Sequence, residues 1–129
     1  MKKKEGKITI PLKTDIWPHE MEVAKILAEN GFDVEFIKKT EEYKTSSADI
    51  KAAGKIWEIK SPRGKTLKTI ERNLKRARMQ SKNIIISSLR LGKLPNEAIL
   101  REVKKQAKEL EGIEKIWLID KNHKKIDIK

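Results

Sequence analysis

Cysteine is absent from this chain, which excludes disulfides, thiolate metal sites and a cysteine nucleophile. Histidine occurs only as His19 and His123, so a zinc site built on imidazole would need both to converge with acids. A hard cation held by carboxylates is the better expectation. Aromatic residues are few: Trp17, Phe32, Phe36, Tyr43, Trp57 and Trp117. Binders of single strands use rows of stacking aromatics, and most of these six sit in core-like patterns, so recognition should rest on charge and shape. No stretch approaches the ~18 consecutive apolar residues of a membrane span, and the lysine-led start lacks the apolar segment of a signal peptide. The expectation is a soluble protein with no membrane partner.

Negative charge is also scarce. There are 19 Asp+Glu against 31 Lys+Arg, a net charge of +12. Such an excess favours a polyanionic partner, and phosphate backbones are the commonest one. A basic surface that serves only solubility is the alternative. At 129 residues the chain is expected to form one domain, 1–129, large enough to bury a single core.

Punctuation and periodicity give the element order. An alternation of Ile8, Ile10 and Leu12 reads as an edge strand or an ordered arm. Pro18 stands at a helix start, and 19–30 reads as a helix closed by Asn30-Gly31. Residues 33–37 read as a strand, and the polar stretch 39–47 as a loop. Two strands follow at 48–52 and 55–61, with Gly54 at their turn and Pro62 stopping the second. A helix over 67–80 carries Ile70, Leu74 and Ala77 at helical spacing. The three isoleucines within 83–87 predict a strand buried on both faces. A helix at 95–110 and strands at 115–120 and 124–128 complete the chain. Ile113, Ile116 and Trp117 suit a core or a contact between chains equally well.

The most informative segment is Ala48-Asp49-Ile50 followed by Trp57-Glu58-Ile59-Lys60. The period of a strand sends Glu58 and Lys60 to one face, while Trp57 and Ile59 go to the other. A tight reversal at Ala53-Gly54 places Asp49 opposite Glu58 by simple antiparallel counting. Two acids and a lysine gathered in this way would make a divalent-metal site. An acid-x-Lys triplet occurs six times in this lysine-rich chain, so spelling alone decides nothing. Only Glu58-Ile59-Lys60 combines an apolar strand, a hairpin partner with another acid, and a basic loop at its end. The other reading is a surface ladder of paired charges, worth a few tenths of a kcal/mol to ~1.

Plotted at ~100° per residue, the first helix puts Val23, Ala24, Leu27 and Ala28 in one arc with Glu20 among them, while Glu22 and Glu29 fall opposite. A carboxylate among aliphatic groups needs a partner or a metal. Alternatively Glu20 favours the helix dipole and reaches solvent past the first turn.

The chain resembles the PD-(D/E)xK nuclease superfamily, whose core is a helix, three strands, a helix and a strand. The resemblance spans roughly residues 18–87. Within the superfamily it is most similar to the C-terminal tRNA-nuclease toxin domains of contact-dependent growth inhibition proteins. It rests on His19-Glu20, Gly31-Phe32-Asp33-Val34-Glu35-Phe36, Ala48-Asp49-Ile50, Trp57-Glu58-Ile59-Lys60-Ser61-Pro62 and Gln80-Ser81-Lys82-Asn83-Ile84-Ile85-Ile86. Ala48 stands where the signature has proline. The fold class implied is α/β, a restriction-endonuclease-like core extended by a helix and two C-terminal strands. The resemblance further implies that Asp49 and Glu58 hold a magnesium-like ion (Mg2+ or Mn2+), that Lys60 lies beside the attacking water, and that Glu20 completes the catalytic set. It implies action on tRNA in the cytoplasm, after delivery from another cell, and a neutralising immunity protein, for which an acidic surface would suit.

The second helix region supplies the expected nucleic-acid contacts: Arg63, Lys65, Lys68, Arg72, Lys75, Arg76 and, at its end, Gln80, with Arg78 and Lys82 nearby and one acid, Glu71. A solvated helix face and a capping Gln80 are the plainer readings. Three functions therefore compete: an RNA endonuclease, a DNA endonuclease of the same core, and a non-catalytic nucleic-acid-binding domain.

Overall fold

The computed structural model describes residues 4–38 and 49–129. The expected 39–47 loop, Ala48, Lys2 and Lys3 lie outside the described residues. The elements run β1 (Ile8–Thr9), α1 (Pro18–Glu29), β2 (Val34–Phe36), β3 (Ile50–Ala52), β4 (Lys55–Lys60), α2 (Lys68–Ala77), β5 (Asn83–Ser87), α3 (Asn96–Glu109), β6 (Lys115–Ile119) and β7 (Lys125–Asp127). That is the order the punctuation predicts, behind one short leading strand.

Local chemistry explains the boundaries. Pro18 occupies the first turn of α1, where a missing N–H costs nothing. At the other end Gly31 takes a positive φ of 91°, and the N–H groups of Gly31 and Phe32 return to the carbonyls of Ala28 and Leu27. This paired closure satisfies two of the helix's last free carbonyls. Between β3 and β4, Ala53 and Gly54 have φ of 51° and 73°, the two left-handed residues that a two-residue hairpin turn requires. Only Gly54 adopts that conformation without a Cβ penalty. α2 stops at Ala77, earlier than its periodicity predicts. The N–H groups of Met79 and Gln80 bond three residues back, to Arg76 and Ala77, and tighten the chain into a turn.

Within the described residues the strands form one sheet in sequence order, β1 to β7. β1/β2, β4/β5 and β5/β6 are parallel, and the other neighbours are antiparallel. The apolar alternation at the start contributes less than it promises. Only Ile8 and Thr9 pair, and Leu12 is 88 % exposed.

Helices cover both faces. Val23, Ala24, Ile26 and Leu27 of α1 pack on Ile50, Trp57, Ile59, Ile85, Trp117 and Ile119. Ile70, Leu74 and Ala77 of α2 and Ile99, Val103 and Ala107 of α3 pack on Ile84, Ile86, Ile116 and Leu118. Ile84, Ile85 and Ile86 are therefore buried from both sides, as their run predicts. Each contributes about 1.5–3 kcal/mol by leaving water. Ile113, Ile116 and Trp117 are core residues, with Trp117 stacked on Trp57 at 3.9 Å between ring centroids.

Candidate active site on β4

β4 positions the central pair. Glu58 and Lys60 stand opposite Ile84 and Ile86 of β5, on the α2 and α3 side, while Trp57 and Ile59 enter the α1-side core. The Lys60 ammonium lies 3.3 Å from Glu58 Oε2. Glu58 is 3 % exposed, so its charge sits in a weakly screened setting where that cation counts for more than it would in water.

Asp49 reaches the same stretch by a different route from the one antiparallel counting predicts. The regular pairing of the hairpin ends at Ile50 opposite Trp57. One residue further, the Asp49 N–H donates to the Trp57 carbonyl at 2.9 Å instead of leaving Asp49 square to Glu58. Asp49 and Ile50 thus both address Trp57 of β4, which is the geometry of a β-bulge. A bulge re-aims its side chain. Asp49 Oδ2 accepts the buried N–H of Ile59 at 2.7 Å, satisfying a strand donor beyond the end of the regular ladder. Asp49 is itself only 6 % exposed. Asp49 therefore reaches the backbone of Ile59, the residue between Glu58 and Lys60, whose own side chains pair with each other.

Glu20 approaches from α1. It is half-buried and lines, with Asp49, Trp17, Phe36 and Ile37, a cleft of about 180 Å³. Val23, Ala24, Leu27 and Ala28 are buried and Glu22 and Glu29 exposed, so the helical arc holds. Among the described residues, no group of three or more His, Asp or Glu side chains is gathered closely enough to hold a metal ion. His123 lies in the turn between β6 and β7, whereas His19 lies in α1.

His19 belongs to the electrostatics of this end of the sheet. Partial burial pushes its imidazole below the ordinary value, and the charges of Arg90 and Arg63 push the same way against Asp49 and Glu22. Arg90, in the loop after β5, donates from Nε at 3.1 Å and from Nη2 to the carbonyl of Ser61, the residue after Lys60. Its own pKa is lowered, mainly by burial and then by Arg63. Sequence reasoning missed Arg90, one cation among 31.

The expected nucleic-acid contacts flank β4 along its length. Arg63, Lys65, Lys68, Arg72, Lys75 and Arg76 are exposed and Gln80 is half-buried. Ser81 Oγ and Asn83 Nδ2 both donate to the Ile56 carbonyl at 3.1 Å, which seats the C-terminal end of α2, with Gln80, near the start of β4. Lys65 and Lys68 lie at the opposite end, after Ser61. Lys75 is committed to Glu71 at 2.9 Å, and Arg78 donates to the Glu111 carbonyl. Lys65, Lys68, Arg72 and Arg76 have no salt-bridge partner among the described residues.

Residues 45–125 match the family model of the contact-dependent growth inhibition CdiA C-terminal domain. The chain belongs to that family. It is also similar to a solved structure from Burkholderia pseudomallei described as a CdiA-CT/CdiI toxin and immunity complex, with TM-score 0.73 and 22 % identity over 96 % of this chain and 99 % of that one. At that identity the likeness is one of fold. No curated protein sequence matches the chain. No helix among the described residues is long and apolar enough to cross a membrane.

Proposed function

We propose that this domain is a toxin that hydrolyses phosphodiester bonds of RNA, with tRNA as its substrate, using a PD-(D/E)xK-type site on β4. The observation that carries this reading is the Asp49 carboxylate held on the Ile59 N–H of β4, between Glu58 and Lys60, which pair with each other. The family and the fold likeness support the toxin context. The similar Burkholderia pseudomallei structure is a complex with an immunity protein, which supports a partner of that kind here. A net charge of +12 suits both a nucleic acid and an acidic inhibitor.

The donor set fits a hard ion. Asp49 and Glu58 offer carboxylate oxygens only, from buried positions on adjoining strands. Mg2+ is commonly held by one or two carboxylates and keeps several waters, so a third protein ligand is not required. Mn2+ is compatible with the same oxygens. Bound by Asp49 and Glu58, such an ion would supply Lewis acidity at the scissile phosphate and make water a stronger acid. The remaining work belongs to the chain. Lys60 places a positive charge where negative charge accumulates on the phosphoryl oxygens during attack. The Ile59 N–H fixes the rotamer of Asp49, and Glu58 keeps the Lys60 ammonium from turning to solvent. Glu20, which lines the same cleft as Asp49, would order a water or the leaving side of the substrate.

The test incubates the purified chain with tRNA and with duplex DNA, each with Mg2+ or a chelator. Metal-dependent cutting of tRNA that is lost in Lys60→Ala is the expected result. Cutting of DNA alone would move the substrate to DNA. Binding of either nucleic acid without scission would make the domain a non-catalytic binder.

A further inference from the structure

Beyond the groups on β4, three nitrogen-bearing side chains converge from separate elements at the same end of the sheet. His19 comes from the first turn of α1, Arg63 from the loop after β4, and Arg90 from the loop after β5. The charges of both arginines act on His19, and that of Arg63 on Arg90, with Asp49 and Glu22 acting the other way. The two arginine loops also touch. A Cβ on Gly92 would meet the carbonyl of Gly64 at 3.7 Å, so the chain beside Arg90 is packed against the chain beside Arg63.

Arg90 is partly desolvated and repelled by the exposed Arg63, only in part offset by the charge of Glu22, and neither arginine has a salt-bridge partner within the described residues. Arg90 is not a free surface side chain. Nε and one N–H of Nη2 are spent on the Ser61 carbonyl, which locks the plane of the guanidinium beside the catalytic strand. The remaining N–H groups keep their donors. Arginine's planar fork matches the tetrahedral oxygens of phosphate, and pre-ordering by Ser61 lowers the entropy lost on binding. A substrate phosphate next to Asp49 and Glu58 needs such donors, because the two carboxylates repel it.

We infer that Arg90, Arg63 and His19 form a phosphate subsite that grips a nucleotide phosphate beside the one cleaved at Glu58 and Lys60. Arg90 is a positioning residue fixed by the Ser61 carbonyl, Arg63 is the exposed gatepost, and the His19 imidazole donates one further N–H. This deepens the nuclease reading and rests on it for the identity of the ligand, while anion binding itself needs no cleavage.

The experiment titrates the intact, metal-free chain with inorganic phosphate and with dimethyl phosphate, following the Nε–H signals of the arginines and the His19 ring by NMR. Saturable shifts at Arg63, Arg90 and His19 are expected for both probes. Affinity should fall about tenfold or more in Arg63→Gln, which leaves the Ser61 contact intact. Arg90→Lys keeps a charge but loses the fork, so it should weaken phosphate binding and raise KM for RNA with little change in kcat. Shifts confined to Arg72 and Arg76 of α2, or unchanged affinity in Arg63→Gln, overturn the subsite. If the anions bind here but no nucleic acid is cut, the subsite stands and the nuclease reading falls. If RNA is cut while these three residues stay silent, the subsite alone falls.

Discussion

Replacing Asp49 separates the bond its carboxylate makes from the metal-holding role proposed for it. Oδ2 accepts the Ile59 N–H at 2.7 Å in a buried setting, and the charge is proposed to hold metal. Asp49→Ala removes both. It strands a buried donor and leaves a small void, costing about 2–3 kcal/mol of stability through the lost charge-assisted bond and the unsatisfied N–H. Asp49→Asn keeps an amide oxygen for the same N–H and removes only the charge. A neutral bond is worth roughly 1 kcal/mol less than one to an ion, so the asparagine variant should lose about 1 kcal/mol. With Asp49 only 6 % exposed, solvent screening does little to shrink that difference. Urea unfolding in chelator measures both values on the metal-free protein, and tRNA cleavage with Mg2+ tests the proposed role. The expected pattern is a graded loss of stability, alanine worse than asparagine, with cleavage abolished in both. An asparagine variant that cuts at the wild-type rate would refute the metal-ligand role. An alanine variant as stable as the parent would refute the capping role.

Other outcomes follow from the packing and charge. Trp57 is fully buried, stacks on Trp117 and donates Nε1 to the Ala52 carbonyl at 2.9 Å. Trp57→Ala should therefore cost about 3–5 kcal/mol in urea unfolding, and a loss below ~1 kcal/mol would contradict a close-packed core around this ring. Changing Lys65, Lys68, Arg72 and Arg76 together to alanine should flatten the dependence of RNA affinity on salt, by about 0.7 in log–log slope for each charge that contacts a phosphate. An unchanged slope would mean that α2 is a solvated face. Lys75 holds the Glu71 carboxyl below its ordinary range, chiefly through their hydrogen bond and then through its charge. Because the folded value is depressed, the small stability this pair adds is present above the unfolded pKa and lost as pH falls through the folded one. NMR titration should show the Glu71 carboxyl moving up towards ordinary glutamate in Lys75→Ala.

What could be foreseen from the residues was local. Asn30-Gly31 ends α1 because a left-handed residue closes a helix wherever it stands, and Ala53-Gly54 turns the hairpin for a similar reason. The isoleucine run of β5 announced burial on both faces because no polar residue interrupts it. The face shared by Glu58 and Lys60 follows from a strand's period alone. The features that escaped depend on distant partners. A parallel pairing of two residues, Ile8–Thr9 with Val34–Glu35, has no signature in either segment, and Ile10 and Leu12 lead the eye past it. The bulge at Asp49 shifts one backbone bond, and nothing in the spelling of the β3 hairpin distinguishes a regular ladder from a slipped one.

The slip also bears on the chemistry. In a regular antiparallel pair Asp49 would stand beside Glu58 on the same face, and two buried carboxylates would repel with no backbone donor between them. The bulge instead hands one carboxylate to the Ile59 N–H and leaves the other beside Lys60, so each acid arrives at the site already stabilised by a fixed group. A metal site of the proposed kind would have its charges in place before ion or substrate arrives, which suits a weakly held, strongly hydrated cation with two protein ligands.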